Sequence, residues 1–297
     1  MKLCTTTGDF GAYYANEIDK LREVAAAGFR YADFSMYHDE AAAYMHDNWR
    51  EDIRRLKAEA DELGVTFVQA HSPAFETLET LSPTEDPVEK TRQTIRSIEI
   101  CGEMGISMTV VHAGVKRNTP EEETFRLNKE FYQKLVPAME KTGVMVLVEN
   151  VGIADNNGRF YMNSAQRLLN FIEYFDHPLM GVCWDIGHAN VFGKQHDEIV
   201  KLGKHLKAIH YNDNDRVKDL HTVPFLATLD NDDAMRGLVD AGFQGPFTFE
   251  ATGKSKVSQF DKLLGTPGAS LPVTRAYEKA LYETGKYLLT AYGVWED

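Results

Sequence analysis

Six apolar runs of this chain each finish in a histidine or a carboxylate. They close at Gln69-Ala70-His71-Ser72, Val110-Val111-His112, Leu147-Val148-Glu149-Asn150, Cys183-Trp184-Asp185, Ile209-His210-Tyr211-Asn212 and Thr248-Phe249-Glu250. One such residue has an ordinary explanation, because a strand-terminal histidine can bond a neighbouring loop and an aspartate can cap the next helix. Six aimed at one place would differ. Crowded carboxylates and imidazoles need a cation or shared protons to relieve repulsion and desolvation. Glu149, Asp185, His210 and Glu250 form an oxygen-rich donor set with one imidazole, which suits a single Mn(II), Mg(II) or Co(II) ion and accommodates Zn(II). Such a cation on a ketose carbonyl and its adjacent hydroxyl would polarise the C=O, acidify the neighbouring C–H and stabilise an enediolate. Glu149 and Glu250 would flank the substrate as an acid/base pair. Return of the proton to the opposite face of the same carbon gives an epimer, return to the neighbouring carbon gives aldose–ketose isomerisation, and expulsion of a hydroxyl gives dehydration. The residues leave these three outcomes open.

The elements that would position these side chains follow one rhythm. β-rich runs near residues 2–7, 29–35, 65–71, 108–113, 144–150, 180–185, 206–211 and 246–251 alternate with periodic, charged segments, which predicts a parallel sheet wrapped by helices. Eight β/α units predict an α/β protein built as a single (β/α)8 TIM barrel over residues 1–297, whose C-terminal strand ends share one mouth. Gly28, Gly64, Gly105, Gly143 and Gly242 stand where helices should stop before strands. No Pro/Ser-rich linker divides the chain, and 297 residues with 43% hydrophobic content suit one such domain. The stretch 253–272, with Lys254 and Lys256, is long for a βα connection and reads as a lid or an oligomer contact ahead of a C-terminal helix.

Composition narrows the partners. A formal charge of -13 repels polyphosphate, so nucleic acid is disfavoured and a small-molecule substrate favoured. Cys4, Cys101 and Cys183 show neither a CxxC pair nor a scaffold spacing, and read as small buried hydrophobes in a reducing compartment. No leader-like start and no membrane-length apolar stretch is evident, which makes a cytoplasmic protein the expectation. Phe10, Tyr13 and Tyr14 could wall a substrate but more simply pack, as could Trp184. Glu121-Glu122-Glu123 after Pro120 suits the first turn of a helix rather than a metal site.

Taken together, Glu149-Asn150, the segment Trp184-Asp185-Ile186-Gly187-His188-Ala189-Asn190, His210 with Arg216, and Glu250 resemble the xylose-isomerase-like barrel superfamily. Its members include ketose 3-epimerases, hydroxypyruvate isomerases, inosose dehydratases and three-zinc apurinic endonucleases. The resemblance to the ketose 3-epimerases implies one divalent metal on Glu149, Asp185, His210 and Glu250, with both glutamates as acid and base. It also implies that His188 and Arg216 contact substrate oxygens, work suited to donors beside a developing oxyanion. His71 and His112 are placed with them as substrate-binding residues. Asp219-Leu220-His221 resembles the Asp-x-His element of the endonucleases, in which His71 and His112 would also be ligands. Against that branch, no basic stripe is evident, and His221-Thr222-Val223-Pro224-Phe225 lacks the Gly-Glu-Gly turn often found after this histidine in both branches, a departure from the epimerase loop as well. Related barrels are often dimers or tetramers, so a homo-oligomer is compatible with the resemblance. A sugar-binding barrel without catalysis is the plainest competing reading.

Overall fold

Each of the eight predicted strands forms, and together they close in sequence order into a parallel ring in which the last strand pairs with the first. The structure is a computed structural model that describes residues 1–37, 40–73, 87–114, 119–151, 162–251, 261, 263 and 265–296. The strands are β1 (Lys2–Thr6), β2 (Tyr31–Ser35), β3 (Thr66–His71), β4 (Met108–Val110), β5 (Met145–Glu149), β6 (Met180–Asp185), β7 (Leu206–Tyr211) and β8 (Pro246–Phe249). Around them run α1 (Glu17–Ala27), α2 (Trp49–Leu63), α3 (Pro87–Met104), α4 (Glu121–Gln133), α5 (Val136–Thr142), α6 (Ala165–Phe175), the short α7 (Ile186–Asn190), α8 (His196–Leu202), α9 (Asn231–Asp240) and α10 (Leu271–Ala291).

Local chemistry starts and stops these elements where the barrel needs it. The Asn16 and Ser164 side chains accept from the backbone N–H groups of Asp19 and Arg167, satisfying donors that the first turns of α1 and α6 leave unpaired. At the end of α2, Gly64 adopts φ 67°, a left-handed turn in which a Cβ would be strained, and Val65 enters β3 directly. Glu121, Glu122 and Glu123 occupy the first turn of α4, as expected for carboxylates beside a helix dipole.

Packing divides into two layers. The outward faces of the strands and the inner faces of the helices make one large apolar cluster, in which Tyr211, Phe247 and Phe249 stack and abut edge to face. Inside the ring, Val110, Leu147, Cys183 and Ala208 form a separate small plug below the mouth. All three cysteines are free and buried. Phe10 is fully buried, the Tyr13 hydroxyl lies 2.8 Å from both Ser270 Oγ and Thr274 Oγ1, and the Tyr14 hydroxyl donates to Glu23. These aromatics therefore tie the first βα connection to the barrel wall and to α10, rather than walling a substrate. Trp184 is buried too, its indole N–H donating to Gln195 Oε1 at 2.9 Å.

Most strands differ from the expected ranges by a residue or two, and two of them end at least two residues early. β4 ends at Val110 and β8 at Phe249, so His112 and Glu250 stand just beyond the ladder. The chain nonetheless stays attached there, through Val111 N–H to Leu147 C=O at 2.9 Å and Glu250 N–H to Tyr211 C=O at 3.4 Å. Residues 253–260, 262 and 264 of the proposed lid, with Lys254 and Lys256, lie outside the described residues. Among the described residues no helix is long and apolar enough to cross a membrane.

Candidate metal centre

Four consecutive strands bring four donors to one point. Glu149 ends β5, Asp185 ends β6, His210 is the penultimate residue of β7, and Glu250 directly follows β8. The ladder sets Asp185 opposite His210, and one ligand atom from each of the four residues lies within 4.8 Å of all the others. His210 Nδ1 sits between the two glutamates, 2.9 Å from Glu149 Oε1 and 3.5 Å from Glu250 Oε1. These are the four residues expected as ligands.

Their neighbours fix them in place. Asn150 clamps β5 to β6, its Nδ2 donating to Asp185 C=O at 2.9 Å and its Oδ1 accepting from Asp185 N–H at 2.6 Å. Asp185 caps α7 by accepting the His188 N–H at 2.6 Å, while Asn212 Nδ2 donates to both its carboxylate oxygens at 3.3 and 3.0 Å. Asn212 has room only because residue 187 is glycine, where a Cβ would lie 1.7 Å from Asn212 Oδ1.

Four more histidines and Asp219 ring this set. His112 Nε2 is 2.8 Å and His71 Nε2 3.6 Å from Glu149 Oε2, so the three residues form a second group with metal-compatible spacing. Asp185, His188 and His221 form a third. Asp219 lies between two of these, with Oδ2 3.6 Å from His188 Nε2 and Oδ1 2.9 Å from His221 Nε2. In His71, His188 and His221 the Nδ1 faces a backbone carbonyl, of Ser72, Asn150 and Glu250 respectively, at 2.7–2.8 Å. With Nδ1–H donated there, Nε2 is turned toward a carboxylate, Glu149 for His71 and Asp219 for His188 and His221. The structure thus brings His71, His112 and His188 to the four donors. Arg216 stands farther out, exposed at the rim with φ 63°, its N–H donating to Asn214 Oδ1 and its Nε to Asn190 Oδ1 at 3.3 Å.

Electrostatics show what such a cluster requires. Burial pushes the Glu149 carboxyl up, but His210 and His112 beside it win and hold it well below the usual range. Glu250 is likewise lowered, with His210 and His71 overcoming burial, whereas burial dominates at Asp185 and lifts it. Burial opposes charging His71, His188 and His210, yet the surrounding groups raise all three, His188 to about 10 under the influence of Asp185, Asp219 and Glu149. The cluster therefore holds positive charge against its carboxylates, and a divalent cation can take over that duty from protons. With mostly carboxylate donors, one imidazole and supporting amides, the residues present fit Mn(II), Mg(II), Co(II) or Zn(II).

Sequence reasoning missed four contributors. Gln69 lies 2.9 Å from His210 Nε2, and Asn212 holds Asp185. Tyr37 packs its ring edge-on against His71 and His112, with centroids 4.8 and 5.6 Å away, and so supplies an aromatic wall that Tyr13 and Tyr14 do not. Asp33 is fully buried in β2, where burial lifts its carboxyl to about 6 against the opposing pull of His210 and His71. Gln69 and Asn212 each stand two residues from a functional histidine in the same or an adjoining strand end, so the two-residue strand period was an available signal.

Comparison with known proteins agrees with this fold. Uncharacterized protein MJ1311 of Methanocaldococcus jannaschii is 26% identical over 211 residues, 67% of this chain and 69% of its own length. The crystal structure of D-psicose 3-epimerase with D-tagatose, from Clostridium cellulolyticum H10, superposes with a TM-score of 0.72 at 17% identity, covering 97% of this chain and 99% of that one. The IolI protein with a bound zinc atom superposes with a TM-score of 0.74 at 16% identity, covering 98% and 99%. At such identities the two structures speak for the fold. The family model of the xylose isomerase-like TIM barrel matches residues 21–271, and the chain belongs to that family.

Proposed function

We propose that this protein is a divalent-metal-dependent isomerase or epimerase of a small sugar or sugar-like hydroxyketone, working by proton transfer through an enediolate. The observation that carries the reading is the placement of Glu149 and Glu250 on either side of His210 Nδ1, from strands three apart in the ring. Two carboxylates so placed can face a bound substrate from different directions, one taking a proton and the other returning it. The cation, when bound by Glu149, Asp185, His210 and Glu250, supplies the positive charge that makes the substrate C–H acidic. His188, His71 and His112 offer ring nitrogens to substrate oxygens, and Arg216 provides a cationic donor at the rim. The three free, buried cysteines suit a reducing, cytoplasmic setting, and a homo-oligomer is compatible with the family.

The test is turnover in D2O on a ketose and aldose panel, with chelator-stripped protein reloaded separately with Mn(II), Mg(II), Co(II) or Zn(II). Metal-dependent deuterium incorporation into a product of otherwise unchanged composition is the expected result, whereas loss of water identifies a dehydratase. No exchange with any cation across the panel would sink the proposal.

A second reading, a three-metal phosphodiesterase acting on abasic DNA, draws support from the additional groups His71/His112/Glu149 and Asp185/His188/His221, with Asp219 alongside. Metal content separates the two. Two or three zinc ions per chain with cleavage of an abasic duplex favours the phosphodiesterase, and about one ion with no cleavage favours the isomerase.

A further inference from the structure

We infer that Gln69 is a positioning residue for the metal centre, whose side-chain amide sets the ring orientation and tautomer of His210 and so tunes its affinity for a divalent cation. The inference rests on the metal-centre reading above. It starts from the fact that His210 presents Nδ1 to Glu149 and Glu250, which makes Nδ1 the atom that can ligate. A neutral imidazole that ligates through one nitrogen carries its hydrogen on the other, and a buried N–H without an acceptor is costly. At His210 that other nitrogen, Nε2, is fully enclosed and lies 2.9 Å from the Gln69 amide. The Cys183 thiol is also close to the ring, but burial pushes its pKa up to about 12, so it remains a neutral thiol and a weak acceptor.

An amide can serve the ring in two ways. With its NH2 toward Nε2, Gln69 donates, and the ring hydrogen sits on Nδ1 facing Glu149 Oε1. Rotated by half a turn within the same envelope, Gln69 Oε1 accepts from Nε2–H, and Nδ1 is released as a ligand. Thr248 Oγ1, 3.4 Å from Gln69 Oε1, can donate to the amide oxygen in the first arrangement and accept from the amide nitrogen in the second. Glutamate in place of Gln69 would support only the ligating arrangement and would add another carboxylate to a site that already holds Glu149, Asp185, Glu250 and Asp33. Glutamine serves both without charge. Its location follows from the strand period, since Gln69 precedes His71 by two on β3 and faces the same interior.

Mn(II) and Zn(II) titrations of the chelator-stripped full chain, followed by calorimetry, test the inference. Gln69→Leu should weaken binding by about 10- to 100-fold, as losses of outer partners of metal-bound histidines do. Gln69→Glu, which restores an acceptor, should recover most of that loss. In the Zn(II)-loaded wild type, 15N spectra of the histidine rings should place the His210 hydrogen on Nε2 in slow exchange with water, a signature that Gln69→Leu should remove. Thermal melts of the metal-free variants separate this effect from general loosening, and Gln69→Met, which keeps the length without the amide, replaces Gln69→Leu should the latter fail to fold. Wild-type affinity in Gln69→Leu beside a wild type that binds tightly overturns the role of Gln69 alone. Failure of the wild type to bind either cation overturns the centre itself, and this inference with it.

Discussion

The mouth of the barrel is built by two different methods. Glu149, Asp185, His210 and Glu250 come from the ends of β5 to β8, where inter-strand pairing and ring closure settle their positions. His188, Arg216, Asp219 and His221 come instead from α7 and the connection between β7 and α9, where side chain-to-backbone bonds replace the ladder. Asp213 organises that connection: its carboxylate accepts from the N–H groups of Asn214, Ala227 and Leu229, and its backbone bridges to Thr222. Arg216, His221 and Phe225 all adopt left-handed φ values, 63°, 47° and 72°, which non-glycine residues rarely do without such support. The strand-held set is thus a fixed part of the scaffold. The connection is a separately tailored collar, in keeping with barrels that change specificity by loop variation.

Removing a strand-held base should separate the two sets most sharply. Glu149→Gln is expected to lower turnover by about 100- to 10,000-fold, the range for a general acid or base. Near-wild-type turnover on a confirmed sugar would remove Glu149 from the chemistry. A smaller effect should come from Gly187→Ala, which joins the sets: the new Cβ would force Asn212 away and release one side of Asp185. A loss of about 1–3 kcal/mol of stability is expected, with weaker cation binding. Unaltered cation affinity would mean that Asp185 needs no help from the collar.

The smallest effect concerns the collar alone. The folded-state pKa of His188, about 10, lies above its unfolded value of about 6.5, so its stabilising contribution is complete below the latter and lost as pH rises through the former. Metal-free protein should therefore melt progressively lower between these two pH values. Asp219→Asn should flatten that slope by removing one of the charges that raise His188. An identical slope in both proteins would show that Asp185 and Glu149 govern His188 without Asp219.

The division between strand ends and collar also explains what the sequence made legible. Glu149, Asp185, His210 and Glu250 could be placed together because a parallel barrel carries every strand's C-terminal end to one face, so chain position alone implies convergence. Gln69 was hidden for the converse reason: an inward polar residue within a strand looks the same on paper whether it lines a plug or touches a ligand. Asn212 depends on the space at Gly187, a relation between residues 25 apart that no local pattern encodes. Arg216 matched a motif, yet its present contacts with Asn190 and Asn214 depend on a backbone conformation that spacing cannot reveal. At the fold level, β4 and β8 ended early because inter-strand pairing stops at the rim while the apolar pattern runs on to Ala113 and Ala251.

The pairing of β8 with β1 has a consequence for biosynthesis. A chain emerging from the ribosome can assemble β1 to β7 and still lack Glu250, with the edges of β1 and β7 open to any strand that meets them. The same event, arrival of residues 246–250, seals both edges and delivers the fourth donor. On the proposed metal reading, full-strength metal capture would come only at the end of synthesis, after an interval in which the open strand edges need protection from aggregation.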